Sequence, residues 1–186
     1  MGIEHILEGY DHLLFVLALL LIVSSGWLLV KTITAFTVAH SITLALVTLG
    51  FFSLPSRPVE AAIALSIVFL AAEIVYAKRG QTGLTHSAPW IVAFGFGLLH
   101  GFGFAGALAD IGLPQAEIPV ALLFFNVGVE IGQLMFVAAV LALKLLLNRL
   151  PVPASGQVSY VPAYTIGVVA MFWLIERVTA IIGWPV

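Results

Sequence analysis

The sequence predicts an all-α polytopic membrane protein, a bundle of six transmembrane helices with both termini outside. Three observations carry this. Of the 186 residues, 62% are apolar and only 9% are charged, whereas a soluble domain carries about 25% charged residues. The mean hydropathy is +1.17. The few charges are also clustered, leaving charge-free runs such as 13–30, 32–56, 80–109 and 150–175. These runs lack the apolar/polar alternation of a barrel strand.

A helix needs about 20 mostly apolar residues to cross roughly 30 Å of hydrocarbon, and turn signals divide the chain accordingly. The first helix is expected at 3–23, stopped by Ser24-Ser25-Gly26. The second, 28–51, ends before Pro55 and Pro58. The third, 58–77, closes at Lys78-Arg79-Gly80, and the fourth, 89–109, starts at Pro89 and stops before Ile111-Gly112-Leu113-Pro114. The fifth, 117–147, is long enough to tilt. The sixth, 160–182, follows the Pro151–Gly156 turn. Together they make one transmembrane domain over residues 1–186. Lys31, Lys78, Arg79, Lys144 and Arg149 fall on one side and only Arg57 and Arg177 on the other, which by the positive-inside rule puts both termini outside.

Composition excludes several function classes. Seven basic and nine acidic residues give a net charge of −2, with no basic tract, so no nucleic-acid partner is expected. Cysteine is absent, which excludes disulfides, thiolate metal sites and thiol catalysis. Met1 is followed by Glu4, His5 and Glu8 rather than a basic stretch, so no signal peptide is expected. A short internal repeat pairs Phe36-x-x-x-His40-Ser41 with Phe96-x-x-x-His100-Gly101. Each is followed by a Val-Glu pair, Val59-Glu60 and Val129-Glu130.

Ionisable groups within hydrocarbon are costly, roughly 3 kcal/mol each, and face a cavity or a partner. At about 1.5 Å per residue, His12, His40 and His100 each lie roughly 17 Å above the inner face, near the bilayer midplane. Glu130 falls near the same layer. Neutral imidazole suits nickel, zinc, copper and iron, and carboxylate supplies compensating charge. Asp11, His12, His40 and His100 are therefore the candidate ligands of a divalent transition metal ion. Asp11 would instead be a helix-capping acid only if the first helix were shorter. Asn126, Glu130 and Gln133 recur at i, i+4 and i+7 as a polar stripe, and Ser41 lies one residue from His40. His5, seven residues before His12, is expected on the same face about 10 Å further out, where with Glu8 it would guard an outer entrance. Glu73 is read as an interfacial carboxylate paired with Lys78 or Arg79. Glu176-Arg177 is read as a local pair or as snorkelling near the outer surface.

Four blocks then resemble one family in order. His5-Ile-Leu-Glu-Gly-Tyr-Asp11-His12 resembles the opening His-x5-Asp-His helix of the HupE/UreJ family. Phe36-Thr-Val-Ala-His40-Ser41, Phe96-Gly-Leu-Leu-His100-Gly101 and Phe125-Asn126-Val-Gly-Val-Glu130-Ile-Gly-Gln133 resemble its divergent branch. The resemblance spans residues 5 to about 140. It implies a small membrane protein tied to hydrogenase and urease accessory functions and regarded as a nickel/cobalt permease, with a metal role for His5, Asp11, His12, His40, His100 and Glu130.

The expected function is a secondary permease of the bacterial cytoplasmic membrane, with metal passing Glu4, Glu8 and His5, binding at Asp11, His12, His40 and His100 and leaving past Glu130, Gln133 and Glu73. Protons compete for the imidazoles, so affinity rises with pH. Two alternatives stand beside it: an intramembrane zinc-type hydrolase with Asp11 or Glu130 as general base, and a metal-binding accessory protein without transport.

Overall fold

A computed structural model describes residues 1–52, 54–109, 117–147 and 158–183. The expected turns at Ile111–Pro114 and Pro151–Gly156, with Asp110 and Arg149, lie outside the described residues. The elements are α1 (Gly2–Glu8), α2 (Tyr10–Ile22), α3 (Gly26–Thr48), α4 (Ser56–Lys78), α5 (Leu84–Ser87), α6 (Pro89–Ala109), α7 (Ile118–Leu147) and α8 (Val161–Ile182), with a 3-10 turn at Val158–Tyr160. No strand occurs among the described residues. α3, α4, α7 and α8 are long and apolar enough to cross a membrane, and α1 with α2 adds a fifth if the bent pair is one span. In α6, the stretch Pro89–Gly103 is a shorter apolar helix.

Local chemistry accounts for most helix ends. Ser25 caps α3, its hydroxyl accepting from the Leu28 N–H at 3.5 Å. Pro162 sits in the first turn of α8, where its missing N–H is not needed. Gly183 ends that helix in the left-handed region at φ 70°, which glycine adopts without steric penalty.

The continuous helix expected at 3–23 is corrected to two helices, α1 and α2, bent by 81° at Gly9. Gly9 sits at φ −80°, ψ 89°, outside the helical region. Its N–H still bonds His5 O at 3.0 Å, and its carbonyl accepts from Leu13 N at 3.0 Å, so both helices keep their terminal bonds. A Cβ at Gly9 would lie 2.8 Å from both His5 O and His12 Nδ1. Glycine is needed there for space. The break also places Asp11 in the first turn of α2, where its Oδ1 accepts from His12 N at 2.8 Å and favours the positive helix end.

Packing relies on close backbone approach, as expected where lipid removes the hydrophobic drive between helices. α6 lies on α3, where a Cβ at Gly97 would strike the Phe36 carbonyl and one at Gly101 the Thr43 hydroxyl. α1 lies on α7 in the same manner: Gly2 leaves no room beside Phe125 O, and a Cβ at Gly132 would sit 3.3 Å from Ile3 Cα. α4 pairs with α8, and α2 packs on α4. The main core gathers Phe15, Leu19, Ile33, Phe36, Ile67, Leu70 and Ile166. A second cluster joins Ile6 of α1 to Leu44 of α3 and to Leu122, Phe125 and Val129 of α7.

Candidate metal centre

Four histidines from four helices meet at the break between α1 and α2. The His12 ring centroid is 4.6 Å from His5, 6.1 Å from His40 and 5.3 Å from His100. Nitrogens of His5, His12 and His40 all lie within 4.8 Å of one another, and His100 adjoins them through His12. The depth count separates His5 from His12 by about 10 Å; the 81° turn instead folds His5 back onto it.

The rings of His12, His40 and His100 have their Nδ1 engaged by an acceptor. His12 Nδ1 is 3.0 Å from Asp11 Oδ1, His100 Nδ1 is 2.8 Å from the Phe96 carbonyl, and His40 Nδ1 is 3.4 Å from Asn126 Oδ1. Asn126 Nδ2 donates to Leu122 O at 2.8 Å, which turns its oxygen toward His40. A carbonyl, a carboxylate and an amide oxygen can only accept, so each ring carries its proton on Nδ1 and its lone pair on Nε2. The Nε2 atoms of His12, His40 and His100 are buried with no hydrogen-bond partner among the described residues. Leaving such an atom unsatisfied costs about 1–3 kcal/mol, and buried imidazole lone pairs with Nδ1 oriented are the kind of donor a metal takes. The group close enough together to hold one ion is His5, His12 and His40, without His100. Imidazole nitrogens about 2.0–2.1 Å from a tetrahedral ion stand about 3.3 Å apart. The 4.8 Å limit of the present group leaves roughly 1.5 Å of closure for His5, His12 and His40 to share one ion. The donor set fits a divalent transition metal.

A cavity of about 110 Å³ opens beside the cluster, bounded by His5, Asp11, His12, Glu60, His100 and Gly103. Glu60 entered the sequence reading only through its repeat with Glu130. Here its side chain reaches the cavity from α4, and Arg177 of α8 holds it. The Arg177 Nη1 donates to Glu60 O at 2.9 Å, with Nε 3.8 Å from Glu60 Oε2. Arg177 thus bonds across to α4 rather than pairing locally with Glu176.

The other candidates are placed around this centre. Thr37 donates to Gln133 Oε1 at 3.0 Å, and Thr34 donates to the Glu130 carboxylate. With His40–Asn126 these form three polar cross-links between α3 and α7. The Ser41 hydroxyl turns to its own helix, donating to Thr37 O at 2.6 Å. Glu8 is exposed, and so is His86. Glu73 is buried and accepts from Thr85 N at 2.8 Å instead of pairing with Lys78 or Arg79, because the chain folds back at Gly83 against its carboxylate.

Described residues that form only helices, with apolar spans and a histidine group of a kind that could hold a metal ion enclosed among them, define an integral membrane protein. The family model for HupE / UreJ protein matches residues 1–177, and the chain belongs to that family. No curated protein and no solved structure matches the chain.

Proposed function

We propose that the protein is a secondary permease for a divalent transition metal, nickel or cobalt, whose cargo binds at Asp11, His12, His40 and His100 with His5 as a further nitrogen donor. The observation that carries this reading is the set of three imidazoles with Nδ1 engaged and Nε2 turned to a buried, unpartnered position. Pocket size favours an ion over an organic substrate. The adjoining cavity is about 110 Å³, well below the roughly 300–1,000 Å³ of small-molecule sites, which weighs against the hydrolase alternative.

In this reading six helices span the bilayer, both termini lie outside, and the metal arrives through the cavity beside Glu60. The carboxylates of Asp11 and Glu60 offset the cargo's two charges. Glu130 and Gln133 line the departure toward the inner face. Cysteine labelling of Gln81→Cys and Gly112→Cys from opposite sides tests the orientation, with Gln81 inside and Gly112 outside. Proteoliposomes carrying the purified protein take up nickel or cobalt, and His40→Ala removes that uptake. Stoichiometric metal binding with no uptake would replace transport by the accessory role.

A further inference from the structure

The apolar face between α4 and α8 carries a groove of about 470 Å³, lined by Ala71, Val75, Gly167, Val168, Met171 and Phe172 among others. The groove owes its depth to close approach: a Cβ at Gly167 would stand 3.3 Å from Ala71 Cβ. Along α8 the lining runs from Ala163 to Ile175, which at 1.5 Å per residue is about 18 Å. One leaflet of hydrocarbon is about 15 Å deep, half of a 30 Å core. The groove is therefore the length of one leaflet's acyl chain.

One end of the groove is charged. A second hollow of about 460 Å³, lined by Arg79, Tyr160, Val161, Tyr164 and Thr165, shares Tyr164 with the groove. Lys78 stands with its Nζ 5.7 Å from the centre of the Tyr160 ring, so two adjacent cations and two tyrosines meet where the apolar lining stops. Lys78 and Arg79 are both exposed. Among the described residues that line this hollow there is no carboxylate. Tyrosine belongs at the headgroup level, and basic pockets between membrane helices select anionic headgroups.

We propose that the α4/α8 groove and its Lys78–Arg79 end form a binding site for one anionic phospholipid, the phosphate on the cations and tyrosines and an acyl chain in the groove. Charge complementarity fixes the headgroup class, and the length of the groove fixes the tail. None of the residues lining the groove lines the cavity beside the histidine cluster, and the site stands independently of any metal role.

The test is native mass spectrometry of the full chain released from vesicles holding equal amounts of phosphatidylglycerol and phosphatidylcholine. The wild type retains phosphatidylglycerol in preference. The K78Q/R79Q variant loses that preference by about tenfold or more, given two cations near a membrane surface, whereas K78R/R79K keeps it. Ala72→Trp, which fills the groove without touching the charges, lowers retention of phosphatidylglycerol. Added inorganic phosphate does not compete, because the tail is required. Equal retention of the two lipids by the wild type, or undiminished preference in K78Q/R79Q, overturns the proposal. Competition by phosphate, or no effect of Ala72→Trp, would reduce the site to a free-anion patch and overturn it likewise.

Discussion

His5 and His12 face each other across Gly9 with ring centroids 4.6 Å apart, although seven residues of unbroken helix would hold them about 10 Å apart. The contact exists because α1 turns by 81° to bury Gly2 and Ile6 against α7. The turn converts a motif spaced for two levels of a helix into one nitrogen-rich pocket.

Gly9 is therefore the residue on which that pocket depends. Gly9→Ala introduces a Cβ 2.8 Å from a backbone oxygen and from His12 Nδ1. Overpacking of this kind costs about 1–3 kcal/mol. Nickel titration calorimetry of Gly9→Ala is expected to show affinity falling about tenfold or more, with the helix content by circular dichroism unchanged. Full affinity in this variant would mean the elbow does not shape the site.

His12 touches all three other rings, so His12→Ala is expected to abolish stoichiometric nickel binding, while the exposed His86→Ala leaves it intact. Replacing His5 or His100 separates the two ways of completing the set. The greater loss of metal, read by elemental analysis of purified protein, identifies the donor that joins His12 and His40.

Asp11→Asn keeps an oxygen for the His12 ring but removes the charge. Loss of an orienting carboxylate typically lowers metal affinity about 10–100-fold, and that is the range expected by titration. An unchanged affinity would leave Asp11 only its role at the start of α2.

Glu130 lies beyond the rings and accepts from Thr34. Glu130→Gln weakens a charge-assisted hydrogen bond of about 1.5–3 kcal/mol, so proteoliposome uptake is expected to slow by about tenfold or more with binding nearly unchanged. Equal loss of both would make Glu130 a ligand and would remove the inward path.

What the sequence made legible follows from what helix counting can see. Charges and prolines bracket the long apolar runs, so α3, α4 and α6 to α8 fall close to where those signals put them. Counting residues from the inner face put His12, His40 and His100 at one depth, and their rings do gather around His12. No proline marks the break at Gly9, glycine is common in membrane helices, and the polar residues that flank it, Glu8, Asp11 and His12, read equally well as site residues of an unbroken helix. A helix unbroken there holds His5 one level away from His12. Glu60 was hidden differently: its approach to the cavity depends on how α4 packs against α2 and α8, which no local pattern encodes.

The glycine seams also decide which parts of the molecule can slide. α6 is keyed to α3 through Gly97 and Gly101, and α1 to α7 through Gly2 and Gly132, where an added Cβ would not fit without a shift of the neighbour. His40 and His100 therefore ride on one stiff block and His5 with Glu130 on another. Between the blocks stand the rungs His40–Asn126, Thr37–Gln133 and Thr34–Glu130, each a bond worth about 0.5–3 kcal/mol. A shear of one block past the other breaks these rungs first, and in the same stroke parts the imidazoles of His5 and His40. In the proposed permease, grip on the ion and the position of that shear plane would thus be one mechanical variable.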